Sequence, residues 1–127
     1  NQGSEERARS NRVYIAAPYT NPDPVYNTHR AIYAGERVTN STGCLVFIPH
    51  ISLLWHLLTP THALSKDHWY WWRIEWLKTC GNLIRLPGPS VGADKEVKYA
   101  EANQIKVFSG DSDDTAIEAF VSTKRAT

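Results

Sequence analysis

The chain has 127 residues, a formal net charge of +1, 42% hydrophobic and 21% charged residues. That is enough for one domain with a modest core, and too balanced in charge to argue for nucleic acid or an anionic membrane as partner. No apolar run approaches the roughly 20 residues that a membrane span needs, and Cys44 and Cys80, without CxxC spacing, read as reduced thiols of a cytoplasmic protein.

The polar opening NQGSEERARSN begins on Asn1 and carries no signal-like apolar segment. Residues 1–11 are therefore expected to be a disordered or tag-like extension, with a single domain over 12–127. RVYIAAPY, Arg12 to Tyr19, is short, apolar and closed by Pro18, and predicts a buried strand that ends in a loop. In the segment that follows, Asp23 is placed to cap a helix, Pro24 suits its first position, and Ala31, Ala34 and Val38 repeat at helical spacing.

CLVFIPH, Cys44 to His50, predicts a second strand, and ISLLWHLL a short helix ended by Pro60. SKDHWYWWRIEWLKTC reads as an amphipathic helix capped by Ser65. NLIRLPG predicts the third strand, ADKEVKYAEANQ a helix, IKVF the fourth strand and DDTAIEAFVSTKR a final helix. Strands that alternate with helices predict a parallel sheet covered on both faces, with ligands bound beyond the carboxyl ends of the strands. Those ends are Ala17 to Tyr19, Pro49 to His50 and Pro87 to Ser90.

The loop RLPGPSVGADKE supports three readings. Its prolines and Gly88 turn the chain. Ser90 and Gly92 stand where free amides at a helix start would favour an anion, although neither GxxxxGK[ST] nor GxGxxG is present. Glu96, placed in the first turn of the predicted helix, is either an ordinary favourable acid or an ionised carboxylate available as a nucleophile.

His50, His56, His62 and His68 recur every six residues, a spacing that places helical neighbours on opposite faces and gives no HxxxH pair, so no metal site is expected. His50 differs from the others because it follows a strand at the ligand edge, where contact with a ligand and plain packing are equally good readings. Trp69, Tyr70, Trp71, Trp72 and Trp76 cannot all face one core. A subunit interface is the leading explanation, ahead of a stacking wall for a base. Tyr19, Asn21 and Asp23 occupy the first loop, as pocket lining or as turn residues.

Taken together, VYIAAPYTNP, FIPH, EWLKTC and LIRLPGPSVGADKEVKYAEANQIKVF resemble the nucleoside 2-deoxyribosyltransferase-like superfamily, over about Arg12 to Phe108. Within it they are most similar to a branch of small phage and bacterial domains, and more distantly to the 2'-deoxynucleoside 5'-phosphate N-hydrolases. The resemblance implies a flavodoxin-like, Rossmann-type three-layer sandwich with a mostly parallel sheet of about five strands. It implies no cofactor, sites often completed from two chains of a homo-oligomer, and cleavage of the N-glycosidic bond of a nucleoside or its 5'-monophosphate.

By position, Glu96 would be the nucleophile and Tyr14 would orient it, while Ser90 and Gly92, with Gly88 turning the loop, would hold the 5' end of the sugar. Apart from the resemblance, Tyr19, His50 and Asp67 are the further candidates for substrate contact. Relatives often carry two aspartates where this chain has Arg73 and Gly81, so the acid that assists the departing base is missing from its expected places; Asp67 and Glu75 are nearby in sequence. A non-catalytic nucleotide-binding module is the alternative.

Overall fold

A computed structural model describes residues 2–59 and 65–125. The elements in chain order are α1 (Gln2–Ser10), β1 (Arg12–Ala16), α2 (Pro24–Thr42), β2 (Leu45–Phe47), a 3-10 turn (Pro49–Ser52), α3 (Leu53–Leu58), α4 (Lys66–Leu77), β3 (Asn82–Arg85), α5 (Val91–Ala102), β4 (Lys106–Ser109) and α6 (Asp113–Arg125). The strands form one sheet in the order β2-β1-β3-β4, every pair parallel. With helices on both faces, this is a Rossmann-like three-layer α/β sandwich.

The sheet has four strands among the described residues, not about five. The fifth was implied by the resemblance and never by an apolar run of this chain. After β4 the chain passes directly into α6, whose Ile117, Phe120 and Val121 are fully buried.

Local signals account for the helices. Asp23 caps α2 through Oδ2, which accepts from the Tyr26 amide at 2.8 Å, and Pro24 takes the first helical position. Ala31, Ala34 and Val38 point inward together, each fully buried. Ser65 caps α4, its Oγ accepting from the His68 amide at 3.1 Å.

Alternation along β1 divides the core in two. Val13 and Ile15 join Ile84, Leu86, the α2 alanines and the apolar stripe of α6. Tyr14 and Ala16 join Leu83, Ile74 and Leu77 of α4, and Ala93 and Ala100 of α5.

The opening segment, expected to be disordered, forms α1 and is tied to the amino edge of the sheet. The Gly81 amide donates to the Arg9 carbonyl at 2.7 Å, Asn82 Nδ2 donates to Ser10 O at 2.9 Å, and the Leu45 amide donates to Asn11 O at 2.8 Å. A Cβ at Gly81 would lie 2.6 Å from the Arg9 carbonyl oxygen, so a side chain there would push α1 away. The polar composition of 1–11 misleads because it is backbone, not apolar side chains, that docks this helix. Glu5 in its first turn and Arg7 and Arg9 in its last also suit the helix dipole.

No helix among the described residues is long and apolar enough to cross a membrane.

Candidate functional site

The order β2-β1-β3-β4 makes the chain leave β1 toward one edge and return on the other side at β3. A crevice opens where the carboxyl ends of β1 and β3 diverge. There lies a cavity of about 800 Å³, lined by the loop Ala17 to Asn21, by Pro49 and His50, by Asp67 and Trp69 to Arg73 of α4, and by Pro89 to Ala93 and Glu96 around the start of α5.

Two anchors shape the loop after β3. Arg85 Nη2 donates to the Gly88 carbonyl and to Asp94 Oδ1, each at 2.9 Å, and Arg30 Nη2 donates to the Pro87 carbonyl at 2.8 Å while its guanidinium holds Asp113 at 2.7 and 2.9 Å. Gly88 takes φ +123°, and a Cβ there would meet Pro18 Cγ at 2.9 Å. Gly88 thus turns the loop behind the cavity and is not part of its lining. Ser90 then caps α5, its Oγ accepting from the Ala93 amide at 3.1 Å, so the hydroxyl holds the helix start while the residue borders the cavity.

Glu96 is nearly fully buried, and both of its neighbours use one oxygen. Tyr14 Oη donates a short hydrogen bond to Glu96 Oε2, and Arg73 Nε donates to the same atom at 3.0 Å. No hydrogen bond from a described residue reaches Oε1. Tyr14 comes from β1 on the face turned to α4 and α5, stacked on Phe47 of β2 at 5.7 Å between ring centroids.

The helix begins at Val91, so Glu96 belongs to its second turn and the first-turn acid is Asp94. The helix start is therefore not what holds Glu96 in its charged form, contrary to the sequence expectation. Burial pushes the Glu96 carboxyl above the ordinary glutamate range, and the Tyr14 hydrogen bond and the Arg73 charge pull it part of the way back. Burial, with the Glu96 charge beside it, raises Tyr14 well above the usual phenol range.

Of the residues singled out in the sequence, Tyr19, His50, Asp67, Ser90, Gly92 and Glu96 border the cavity, with Tyr14 beneath Glu96. His50 is buried, its Nε2 2.9 Å from the Pro18 carbonyl, and burial lowers its proton affinity below that of a free imidazole. Tyr19 Oη lies 3.0 Å from His56 Nδ1. Asn21 lines the cavity, whereas Asp23 serves α2 as its cap.

Glu75 is exposed and pairs with Lys78 at 3.1 Å, away from the cavity. Gly81 lies at the amino edge of the sheet, against α1, so the aspartate looked for there has no bearing on this cavity. Trp69, Trp71 and Trp72 border the cavity, while Trp76 stacks on Phe47 at 5.4 Å; Trp71 and Trp76 remain about half exposed. His62 lies outside the described residues, among which no three His, Cys, Asp or Glu side chains converge as a metal set would.

Arg73 is the site residue that sequence reasoning missed. It registers there only as the absence of an acid, because nothing local says that α4 turns residue 73 toward residue 96 of α5. Its Nη2 lies 3.5 Å from where a Gly92 Cβ would be, so the guanidinium spans the space between Glu96 and the loop.

Comparison of the chain with protein-family models, with curated proteins and with solved structures found no match.

Proposed function

We propose that the chain is a nucleoside 2-deoxyribosyltransferase-like N-glycosidase that cleaves the bond between base and sugar of a nucleoside or nucleoside 5'-monophosphate. The observation that carries this reading is a buried carboxylate, Glu96, held through Oε2 by Tyr14 and with Oε1 unengaged among the described residues, at the wall of a cavity large enough for a nucleotide.

In the proposed reaction Glu96 Oε1 bonds to the anomeric carbon as the carbon–nitrogen bond breaks, and that electron pair leaves with the base. Water then adds to the same carbon, the glycosyl ester to Glu96 opens, and the water proton passes to solvent or to the departed base. Hydrolysis is preferred over transfer to a second base, because the loop at Ser90 and Gly92 suits the 5' end of a nucleotide while no acceptor site is evident among the described residues.

Asp67 is the second acid on the cavity wall, beside Glu96, and the aromatic side chains of α4 offer flat faces to a base. We further infer that the chain is a homo-oligomer. Leu54, Leu57 and Leu58 of α3 and Trp71 and Trp76 of α4 are all substantially exposed, a set suited to burial against a second copy. The two buried free thiols accord with a reducing, cytoplasmic setting.

The second reading, a nucleotide-binding module without chemistry, is favoured by one observation: a guanidinium engages Glu96 where the resemblance places an acid. Incubation with a panel of nucleosides and 5'-monophosphates, with free base detected by chromatography, separates the two. The glycosidase reading expects base release that is lost in Glu96→Ala. Release unchanged in that variant would remove Glu96 as nucleophile, and tight binding without release would favour the module.

A further inference from the structure

The cation beside Glu96 has no counterpart in the sequence reading, and three observations define what it does. Glu96 is only 3% exposed, so its charge has almost no water to stabilise it. Arg73 Nε meets Oε2 at 3.0 Å, on the oxygen that Tyr14 also uses. The Arg73 side chain is itself 29% exposed at the cavity, so the guanidinium keeps part of its hydration while it serves the carboxylate.

We propose that Arg73 is the positioning residue for Glu96: its guanidinium keeps the buried carboxylate ionised and pins Oε2, which leaves Oε1 as the reactive oxygen. This rests on the reading of Glu96 as nucleophile. The assignment to Arg73 follows from the groups that face Glu96. From β1 comes Tyr14, which is neutral and supplies a hydrogen bond without charge; from α4 comes Arg73; from the end of β3 comes Arg85, which is engaged with Asp94 and acts on Glu96 only through space. On α5 itself Lys95 borders the same cavity, with no hydrogen bond or ion pair to Glu96.

Arg73 is therefore the cation in direct contact. A guanidinium yields no proton in a protein, so this position does not protonate the departing base.

The test is a titration of the Glu96 carboxyl by carbon-13 NMR in the full chain, with the resonance assigned by its loss in Glu96→Gln. Removal of an adjacent full charge from a buried carboxylate raises its proton affinity by about tenfold or more. Arg73→Gln should show that rise, and Arg73→Lys should return the midpoint to within about threefold of the wild type. Midpoints that agree within threefold in all three proteins would overturn the proposal, as would a lowered melting temperature in both variants with no movement of the midpoint.

If Arg73→Gln fails to fold, the wild-type protein still decides the matter. The Arg73 Nε–H proton resonance must titrate with the same midpoint as the Glu96 carboxyl, and a resonance flat across that range would contradict the contact. Base release separates this claim from the functional one. A midpoint that moves while neither the wild type nor a variant releases base keeps Arg73 as the group that holds Glu96 ionised and removes the glycosidase reading. Base release with an unmoved midpoint does the reverse.

Discussion

On one face of the sheet, Val13 and Ile15 meet Ala31, Ala34 and Val38 of α2 and Ile117, Phe120 and Val121 of α6, every one of them fully buried. The ion pairs on that side stay at the margin, where Arg30 grips Asp113 and Arg37 reaches Asp114 at 2.6 Å. On the other face the same strand presents Tyr14, and the layer made by α4 and α5 contains a buried carboxylate, a half-sheltered guanidinium and a cavity. One face is closed by apolar packing and the other is left polar and partly open. The closed core and the proposed site thereby draw on residues that alternate along a single strand.

Substitutions on the two faces should therefore fail in different ways. The largest expected effect is on chemistry: Glu96→Gln, nearly isosteric and on the open face, should lower base release by at least about a thousandfold while the fold persists, as steady-state kinetics and circular dichroism would show. On the closed face Phe120→Ala should cost about 3–5 kcal/mol of stability, read by urea denaturation, and leave the rate per folded molecule within about twofold.

Tyr14→Phe keeps the ring on Phe47 and removes only the hydroxyl that holds Oε2. Hydrogen bonds to charged groups contribute about 1.5–3 kcal/mol, so base release should fall about ten- to hundredfold. A variant that kept full activity and merely melted earlier would break the comparison.

How much of this was legible in the sequence depends on the range of the interactions involved. The helix starts at Asp23 and Ser65 and the inward stripe Ala31, Ala34 and Val38 are local signals, and each appears where the residues predicted it. The four strands were legible as short apolar runs. The docking of α1 was not, because Gly81, Asn82 and Leu45 hold it through backbone carbonyls that no side-chain pattern advertises.

The placement of Tyr14 under Glu96 was expected from the resemblance alone, across 82 residues of sequence. Arg73 was visible only as a departure from a pattern, since its meeting with Glu96 depends on how α4 packs against α5. Glu96 was assigned to the wrong helical turn because Val91 and Gly92, poor helix formers in isolation, are recruited by the Ser90 cap.

Two smaller effects sharpen the contrast. Gly88→Ala forces a side chain into φ +123° and against Pro18. It should cost about 1–3 kcal/mol and also weaken substrate binding, because that loop serves both the fold and the cavity; denaturation and calorimetry would record the two together.

The last prediction concerns pH. The folded-state carboxyl of Glu96 binds its proton more tightly than a free glutamate does. Its burial therefore favours the folded state fully below the ordinary glutamate range, and that contribution is lost as pH rises from about 4.3 through the raised folded value. Glu96→Gln, which does not titrate, should gain stability relative to the wild type as pH rises across that window, in denaturation curves taken at a series of pH values. Base release should lose activity on the acid side at a pH above that of an ordinary glutamate.

The central claim is that Glu96 forms a bond to the sugar, and trapping that bond tests it most directly. The protein would be incubated with a 2'-fluoro-substituted nucleoside 5'-monophosphate, whose glycosyl ester hydrolyses slowly, and examined by intact-protein mass spectrometry. The account predicts a mass increase of one fluorinated sugar phosphate in the wild type, with none in Glu96→Gln. An equal adduct in both proteins, or release of base from the natural nucleotide with no adduct ever trapped on the wild type, would contradict it.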